Sequence, residues 1–467
     1  MANIVIIGAG SLVFSSRLTA DILTYPELQD SHFRLVDTDP VRLNYAEQIV
    51  HRIFKEGGYD KARVSAHADL KEALKEADYV IISILIGGYE AIEKEIDIPK
   101  KYGIDQCIGD TLTPGGIMRC LRTLPVLEEM ARDINEICPK AAVLNYTNPM
   151  GMLSKGFIEA APEITYVGLC HSVQGTVNEW AKRLEVPAGE VNFQCAGINH
   201  QAWITRFEHN GQDMLPSIRE LAVKPEIWYG DTTRMEYVKH LGFPVTESSG
   251  HVSEYNPWFR HTPESIERYC QDRFSEWNGG HGYIKELYNR PDWKEQMQKM
   301  ADWDDPVDLA RSEEYGSQII HAMETGETTI IHGNVMNHGY IENLPRNSVV
   351  EVPCVVNKNG LQPMHAGSLP PHLAAINRNQ LSVQELAVLA VQKADPELVF
   401  QAMAMDPLTA MSCTLDEIRA MTRELMEAHT PWIPGMNGRL PGDKPLVYLQ
   451  KPEGLVERHI DPAKANQ

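Results

Sequence analysis

Residues 1–195 alternate compact apolar runs with longer stretches of helical periodicity. The apolar runs cover residues 3–7, 33–37, 78–84, 140–150 and 164–172. Patterns typical of helices lie between them, at about residues 14–24, 68–77 and 115–137. Strands that are apolar on both faces and alternate with helices indicate a parallel sheet covered on both sides. This half of the chain is therefore predicted to be an α/β, Rossmann-like doubly wound domain.

The pattern changes after about residue 195. Two strand-like runs at residues 191–198 and 202–209 favour antiparallel pairing. Long charged helical patterns follow at residues 214–240 and 262–325. No segment rich in Pro or Gly separates the two halves, so we expect them to pack tightly. The sequence predicts a first domain over residues 1–195 and a mixed α+β domain over residues 196–467.

Composition narrows the class of partner. The 467 residues include 43 Lys and Arg against 64 Asp and Glu, a formal net charge of −21. An acidic surface argues against nucleic acid and anionic membranes as partners. No run approaches the ~18 apolar residues that a membrane helix needs, and no basic region precedes the first apolar run. Eight scattered cysteines fit reduced thiols better than a disulfide framework, which predicts a cytoplasmic protein.

The tetrapeptide GAGS directly follows the first apolar run. Gly8 would make a tight turn, and Gly10 and Ser11 would bring backbone N–H groups to a pyrophosphate at a helix N-terminus. Asp37 closes the next apolar run, where it would accept hydrogen bonds from ribose hydroxyls and favour NAD over NADP. Val13 replaces the third glycine of the usual motif, so a plain strand-to-helix turn is the alternative. The strand–turn–helix context favours an NAD site.

A second candidate site combines sulfur and nitrogen ligands. YVGLCHSVQG (166–175) places Cys170 beside His171, and AGINHQAW (196–203) contains His200. Thiolate and imidazole suit a borderline or soft divalent ion, and two protein ligands leave positions open for catalysis. Neighbouring residues of an extended chain point to opposite faces, so Cys170 and His171 are not expected to share an ion. From the residues alone, a buried free thiol and a structural histidine remain the alternative.

Longer motifs give the sequence a family resemblance. GAGS (8–11), IGGYE (86–90), GDTLTPGGIMR (109–119), LNYTNPM (144–150), GLCHSVQG (168–175), AGINH (196–200) and TESSGHVSEYNPWF (246–259) occur in this order. They resemble glycoside hydrolase family 4, a group of NAD-dependent exceptions among glycosidases. The similarity covers nearly the whole chain. The His-Ser-Val that follows Cys170 is similar to the α-galactosidase branch and its α-galacturonidase neighbours.

The resemblance implies cleavage of terminal α-galactosides with NAD and a divalent metal, usually Mn(II). In this family NAD takes a hydride from sugar carbon 3, and a base then removes the proton on carbon 2. The glycosidic oxygen leaves, water adds, and the hydride returns. The first domain would bind NAD, and the second would carry substrate, metal and oligomer contacts. We expect a small sugar glycoside as substrate and a homodimer or homotetramer as the assembly.

The resemblance also assigns roles to single residues. Cys170 and His200 match the metal ligands, and Asn148 matches the residue that binds sugar hydroxyls beside the metal. Tyr255 matches the base for carbon 2. A tyrosine has a free pKa of ~10, so Tyr255 should need a nearby cation such as the metal, Arg260 or His251. His171 stands where the phosphoglucosidases have Asn or Asp, and it is either the leaving-group acid or a sugar ligand.

Asp110 and Arg119 lie in the Gly-rich segment that the family places near the nicotinamide and the sugar. Arg119 would hold a sugar hydroxyl or a sugar carboxylate. The alternative for Arg119 is structural, as a helix cap or as the partner of a surface acid.

Other functions remain open at this point. An α-galacturonidase, another hexuronidase or an α-glucosidase of the same family would differ only in sugar specificity. A hydroxy-acid dehydrogenase is permitted by the nucleotide half, although a Cys–His pair is foreign to its chemistry. A non-catalytic sugar or nucleotide sensor would leave the metal and base motifs without a use.

Overall fold

The computed structural model describes residues 1–11, 14–270, 281–302, 307–436 and 439–442. Val13, parts of the helical pattern at 262–325 and the end of the predicted second domain lie outside these residues. Within the described ranges, no helix combines the length and apolar character that crossing a membrane requires. All eight cysteines are free thiols, as the sequence predicts.

The strands of the described residues form one twelve-stranded sheet. They are β1 Asn3–Ile7, β2 His32–Val36, β3 Arg63–His67, β4 Tyr79–Ile82, β5 Ala142–Asn145, β6 Thr165–Gly168, β7 Val191–Ile198, β8 Gln201–His209, β9 Gln212–Asp213, β10 Thr329–Met336, β11 Val349–Asn357 and β12 Gly360–Pro363. Their spatial order is β3-β2-β1-β4-β5-β6-β10-β11-β7-β8-β9, with β12 paired to β11.

The first six strands are parallel, in the order 3-2-1-4-5-6. This is the strand order of a dinucleotide-binding doubly wound sheet, so the predicted fold of the N-terminal half is confirmed. The central strands are apolar on both faces, and Val5, Val80 and Val143 have no exposed surface. The burial explains why these strands read as continuous apolar runs.

Helices cover the sheet. They are α1 Phe14–Leu23, α2 Pro40–Gly57, α3 Leu70–Leu74, α4 Gly88–Lys101, α5 Thr113–Ile137, α6 Met150–Ala160, α7 Ser172–Arg183, α8 Leu215–Ala222, α9 Pro225–Gly230, α10 Thr232–Leu241, α11 Ser249–Val252, α12 Pro263–Tyr269, α13 Tyr283–Tyr288, α14 Trp293–Ala301, α15 Tyr315–Thr325, α16 Pro371–Lys393, α17 Pro396–Met405, α18 Pro407–Ser412 and α19 Leu415–Ala428. Short 3-10 turns occupy Pro26–Leu28, Ala188–Glu190 and Pro434–Met436.

Several predicted elements differ from the structure in length. The helical pattern at 214–240 is broken into α8, α9 and α10. The first break precedes Pro225, because the residue before a proline is driven out of the helical conformation. Lys224, which precedes Pro225, is extended at φ −72° and ψ 131°. The second break lies at Asp231, which has φ −162° and ψ 55°. The pattern at 68–77 contains only the short helix α3, which Asp69 caps by accepting the Lys71 N–H at 2.9 Å.

The two halves share the sheet. β7 and β8 pair antiparallel, as predicted for residues 191–208. β10 continues the parallel part through a single antiparallel pair, Asn334 with Gly168, and β11 then contacts β7. The sheet runs across the boundary drawn at residue 195, which lies inside β7. The division into two domains therefore stays a prediction, and the α+β character of the second half is confirmed.

A buried ion pair joins α4 to α5, the helices on either side of a loop that carries Asp110. The Arg122 guanidinium donates to the Glu95 carboxylate at 2.7 and 3.1 Å, and the Arg122 side chain is fully buried. His429 Nε2 lies 3.4 Å from the same carboxylate. Burial favours the neutral acid, but Arg122 and His429 hold the pKa of Glu95 below its ordinary value.

Replacing Arg122 by Leu should lower the free energy of unfolding by about 3–5 kcal/mol, because it leaves the Glu95 carboxylate buried without its main partner. Lys75→Leu removes a pair with Glu72 in which both side chains are mostly exposed, so it should cost less than about 1 kcal/mol. Denaturant unfolding of both variants measures the difference. Equal losses would show that the α4–α5 pair is not a structural anchor.

Candidate active site

The candidate site lies at the carboxyl edge of the parallel strands. The glycine turn follows β1, Asn148 follows β5, and Cys170 follows β6. In open α/β sheets, ligands bind outside the carboxyl ends of the strands, where the strand order reverses. Here the order reverses between β1 and β4, so the turn lies at the expected place.

The glycine turn is tightly packed. Gly8 has φ +83°, and a Cβ there would lie 2.0 Å from the carbonyl oxygen of Ser83. A Cβ at Gly10 would lie 2.7 Å from Asp37 Oδ2. Both positions therefore require glycine. Gly8 needs it for the left-handed turn, as predicted, and Gly10 needs it because Asp37 and Arg42 pack against it; approach to a pyrophosphate stays a prediction. Ser11 Oγ accepts the Phe14 N–H at 3.3 Å at the start of α1.

Asp37 has a role that the sequence did not suggest. Its carboxylate accepts the Gly10 N–H at 2.7 Å and the Asp39 N–H at 2.9 Å, so it fastens the glycine turn to the end of β2. A carboxylate offers about four lone-pair positions, so acceptor capacity remains for a ribose diol. The narrow glycine cradle and this acid fit a dinucleotide.

Three electron-pair donors converge beside Asn148. Cys170 Sγ lies 4.0 Å from Glu247 Oε2, and His200 Nε2 lies 3.9 Å from the same oxygen. The ligand atoms of these three residues all lie within 4.8 Å of one another. Burial and then the Glu247 charge raise the pKa of Cys170 to about 12. A divalent cation would reverse that effect and deprotonate the thiol, so Cys170 and His200 fit a metal.

Cys170 and His171 diverge, as predicted, but not because a strand alternates their directions. β6 ends at Gly168, and both residues lie in the turn before α7. Cys170 faces the cluster, whereas 66% of the His171 side chain is exposed. His171 Nδ1 lies 3.5 Å from Glu314 Oε1, and hydrogen bonding to Glu314 raises the pKa of His171 to about 10.

Asp110 lies at the centre of the polar side of the site. It accepts the Asn148 Nδ2–H at 3.1 Å and the Thr111 hydroxyl at 2.7 Å, while Arg119 Nη1 and His251 Nε2 each lie 3.9 Å away. Burial would raise the pKa of Asp110, but the charges of His251 and Arg119 and the hydrogen bond from Thr111 lower it overall. Asp110 is therefore an anion at neutral pH.

Arg119 is buried on α5 and faces Asp110 and the Tyr288 ring, 5.7 Å from its guanidinium carbon. The alternative that it pairs with a surface acid is wrong, because Asp110 is buried inside the site.

Thr111 fixes which nitrogen of the His200 ring carries the hydrogen. A carboxylate only accepts hydrogen bonds, so the Thr111 hydroxyl hydrogen points to Asp110. The Thr111 oxygen then accepts from His200 Nδ1 at 2.8 Å. This places the ring proton on Nδ1 and leaves the Nε2 lone pair facing Cys170 and Glu247. Such outer partners orient metal-binding histidines and tune their affinity.

Two buried polar atoms at the site lack a protein partner with hydrogen-bond geometry. They are the Tyr255 hydroxyl, close to Thr111, and the Asn148 side-chain oxygen. Buried polar atoms usually find partners, so both suit a polar ligand. Burial, Asp110 and Glu254 raise the pKa of Tyr255 well above its usual value. Arg260, which the sequence offered as a cation for Tyr255, is instead bonded to Asp105 and Ser253.

Glu254 fixes the loop that leads to Asp110. Its fully buried carboxylate accepts the backbone N–H groups of Cys107, Ile108 and Gly109 at 2.8, 3.1 and 2.8 Å. Burial raises its pKa to about 7. The residue next to Tyr255 therefore holds the segment that supplies Asp110 and Thr111.

Sequence reasoning missed Thr111, Glu247 and Glu254, and it named His251 only as a helper of Tyr255. One signal was present: Glu247 and His251 are four residues apart in the TESSGHVSEY motif. In the structure Glu247 Oε1 lies 3.4 Å from His251 Nδ1. Thr111 carried no signal beyond its place beside Asp110, because a threonine fits many loops.

Comparison with known proteins places the chain in a family. Residues 3–186 match the model of family 4 glycosyl hydrolases, and residues 195–409 match the model of the family's C-terminal domain. The chain belongs to the family 4 glycosyl hydrolases.

Curated relatives cover most of the chain. An α-galactosidase of Bacillus subtilis (strain 168) is 37% identical over 93% of this chain and 99% of its own. An α-galactosidase of Rhizobium meliloti (strain 1021) is 36% identical over 92% of this chain and 89% of its own. An α-galacturonidase of Thermoanaerobacterium saccharolyticum is 31% identical over 78% of this chain and 82% of its own.

Solved structures share the fold. A putative glucosidase from Bacillus subtilis has a TM-score of 0.81 at 27% identity, over 91% of this chain and 99% of its own. The 6-phospho-β-glucosidase of Thermotoga maritima, solved with manganese, NAD+ and glucose-6-phosphate, has a TM-score of 0.76 at 22% identity, over 92% and 98% of the two chains. The second similarity supports the fold only.

Thr111→Val should weaken Mn²⁺ binding by about 10–100-fold, the usual effect of losing an outer partner of a metal-binding histidine. The variant keeps the side-chain shape but removes the oxygen that accepts from His200 Nδ1. Thr111→Ser keeps that oxygen and is the matched control. Titration of free Mn²⁺ by electron paramagnetic resonance measures both. If the Val and Ser variants bind Mn²⁺ equally well, Thr111 does not set the His200 tautomer.

Proposed function

We propose that the protein hydrolyses terminal α-galactosides with bound NAD and a divalent ion, Mn²⁺. The observation that carries the proposal is the position of the Cys170–His200 cluster, at the edge of a dinucleotide-binding sheet. The relatives named α-galactosidase support the choice of sugar. When bound, NAD supplies reversible oxidation of a sugar carbon, and the ion polarises neighbouring oxygens as a Lewis acid.

Cys170 Sγ and His200 Nε2 would hold the ion, and Gly8, Gly10, Ser11 and Asp37 would hold the dinucleotide. Asn148 would accept a hydrogen bond from a sugar hydroxyl through its unpaired buried oxygen. Its amide group is fixed by Asp110 at 3.1 Å, so the oxygen is oriented before the sugar arrives. Orientation in advance reduces the ordering cost of binding.

Tyr255 would remove the proton from carbon 2 of the sugar. Its hydroxyl is buried and unpaired, which suits a group that acts on substrate rather than on the protein. The carboxylates near Tyr255 favour the neutral phenol. The positive charge that a tyrosinate base requires would therefore come from the metal rather than from Arg260.

His171 would face the leaving group. Unlike Cys170 and His200, it is mostly exposed, so it lies on the side from which an aglycone extends into solvent. Glu314 lies against its Nδ1 and would orient the ring. This arrangement suits either proton donation to the glycosidic oxygen or contact with a ring hydroxyl.

Arg119 bears on the choice between galactosides and galacturonides. A sugar carboxylate needs a cation, and Arg119 is a buried cation beside Asp110. Asp110, which is ionised, lies 3.9 Å from it and compensates much of its charge. Neutral galactosides therefore rank first, and galacturonides are the second candidate. Membership of the glycosyl hydrolase family argues against a dehydrogenase with net redox turnover.

We infer a cytoplasmic homodimer or homotetramer. Eight free thiols, two of them partly exposed, suit a reducing compartment. Met405, Met411 and Leu415 are 49%, 57% and 64% exposed within one short stretch of the chain, which suits a subunit contact.

Nitrophenyl α-galactoside should be hydrolysed only when NAD and Mn²⁺ are both present, because the two cofactors act on the same sugar. Protein stripped with EDTA and freed of nucleotide is assayed with neither, each, or both, under reducing conditions. Nitrophenyl α-glucoside and α-galacturonide should react more slowly, and NADH should not accumulate. Full activity without either cofactor would refute the proposal, and faster galacturonide hydrolysis would replace the sugar assignment.

A further inference from the structure

We propose that Glu247 is a third protein ligand of the divalent ion, beside Cys170 and His200. The inference rests on the proposed function and extends it, since neither the family resemblance nor the sequence assigned Glu247 a role. The proposal is carried by distances, backbone conformation and charge at the cluster.

The distances suit a shared ion. Bonds from a metal to sulfur, nitrogen or oxygen ligands are roughly 2.0–2.3 Å long, so two ligands of one ion lie about 3–4.5 Å apart. Glu247 Oε2 lies 4.0 Å from Cys170 Sγ and 3.9 Å from His200 Nε2. These separations are too long for ordinary hydrogen bonds between oxygen and nitrogen. One carboxylate oxygen therefore faces both proposed ligands: it accepts a long hydrogen bond from the Cys170 thiol and makes none with His200.

The charges around Glu247 leave room for a cation. Thr111 leaves the His200 Nε2 lone pair facing the cluster, and the Glu247 carboxylate presents a second electron-pair donor. The Cys170 thiol becomes a third when a divalent ion displaces its proton. The guanidinium of Arg234 also acts on Glu247, but it pairs with Glu179 at 2.8 Å and Asp231 at 3.4 Å. A divalent ion with one thiolate and one carboxylate forms a neutral cluster. A neutral cluster is easier to bury than the net positive charge left without Glu247.

The fold holds Glu247 in a backbone conformation that a glutamate rarely adopts. Glu247 has φ +74° and His200 has φ +29°, conformations that side chains other than glycine rarely adopt. Strain of this kind persists where the surroundings fix a functional group. The segment before Glu247 is locked to β8, because Thr246 N donates to the Ala202 oxygen at 3.0 Å and Ala202 N donates to Thr246 Oγ1 at 3.1 Å. His200 and Glu247 are thus held in one rigid arrangement.

His251 supports the opposite side of the carboxylate. Its Nδ1 lies 3.4 Å from Glu247 Oε1 and 2.8 Å from Ser248 Oγ. The two Glu247 oxygens therefore have different environments: one faces His251, and the other faces Cys170 and His200. This division leaves Oε2 for the metal.

The test compares Mn²⁺ and Zn²⁺ affinities of the purified full chain. Glu247→Gln should lower Mn²⁺ affinity by about tenfold or more, at least the loss seen for outer-partner substitutions. Zn²⁺ prefers nitrogen and sulfur ligands more than Mn²⁺ does, so its affinity should fall less. If Glu247 were purely structural, its replacement would leave the ratio of Mn²⁺ affinity to Zn²⁺ affinity unchanged. Electron paramagnetic resonance measures Mn²⁺, and competition with a chromophoric chelator measures Zn²⁺.

The matched control is Glu236→Gln. Glu236 is a comparably buried carboxylate on α10 whose partners are Trp228, Lys239 and His240. This variant should bind both ions as the wild type does. Cys170→Ser should lower the affinity for both ions, because it removes a ligand that the proposed function already assigns.

Folding is checked separately by thermal unfolding with and without Mn²⁺. Bound metal should raise the unfolding temperature of the wild type, and this increase should shrink in Glu247→Gln. If that variant does not fold, Glu247→Gly replaces it, because glycine accepts the positive φ at position 247. The glycine variant should fold and show the same loss of Mn²⁺ affinity.

Two results would overturn the inference in distinguishable ways. If Glu247→Gln and Glu247→Gly bind Mn²⁺ like the wild type while Cys170→Ser does not, Glu247 is not a ligand and the proposed function stands. If the wild type itself does not bind Mn²⁺, the proposed function and the inference both fail.

Discussion

The organisation of the site depends on a buried cluster of three metal-ligand side chains, in which the Cys170 thiol faces the Glu247 carboxylate and the His200 imidazole. Glu247 Oε2 lies 4.0 Å from Cys170 Sγ and 3.9 Å from His200 Nε2, and burial of the thiol opposes its ionisation. A buried carboxylate needs positive charge beside it; His251 supplies part of that charge, and a bound cation would add to it. The surrounding structure holds the cluster in this state, and that constraint connects the fold to glycoside chemistry.

A second layer of buried hydrogen bonds holds the side chains of the cluster in position. Glu254 holds the loop at 107–109 through three backbone N–H groups, and that loop leads to Asp110 and Thr111. Asp110 in turn orients Asn148, and Thr111 orients His200. Because each side chain at the centre is fixed by another behind it, the site is formed before substrate binds. The Glu95–Arg122 pair secures the two helices that flank the same loop.

The local pattern predicted the nucleotide half well because its elements are set by short-range features. The apolar strands, the glycines of the turn at Gly8 and Gly10, and the acid at Asp37 all lie within a few dozen residues. The proposed metal centre depends on contacts across long distances in sequence. Cys170 and Glu247 are 77 residues apart, and nothing local indicates that their side chains meet.

The extension of the sheet was missed for a similar reason. β10 joins β6 through the single pair of Asn334 with Gly168, so strands of the second half complete a sheet that begins in the first. Propensity gives no information on such pairing, because the partner strand is more than 160 residues away. The antiparallel pairing of β7 with β8 was predictable, since those two strands are neighbours in sequence. Family motifs supplied the candidate residues, but not the interactions that orient them.

The oxidation–elimination route is tested most directly by hydrolysis of an α-galactoside in deuterated water. Removal of the carbon 2 proton by Tyr255, followed by reprotonation from solvent, predicts deuterium at carbon 2 of the released galactose. The hydrogen on carbon 3 should remain, because it is transferred and returned without exchange. Nuclear magnetic resonance of the product locates the label. Galactose that carries no deuterium at carbon 2 after many turnovers would contradict the account and indicate a conventional pair of catalytic carboxylates.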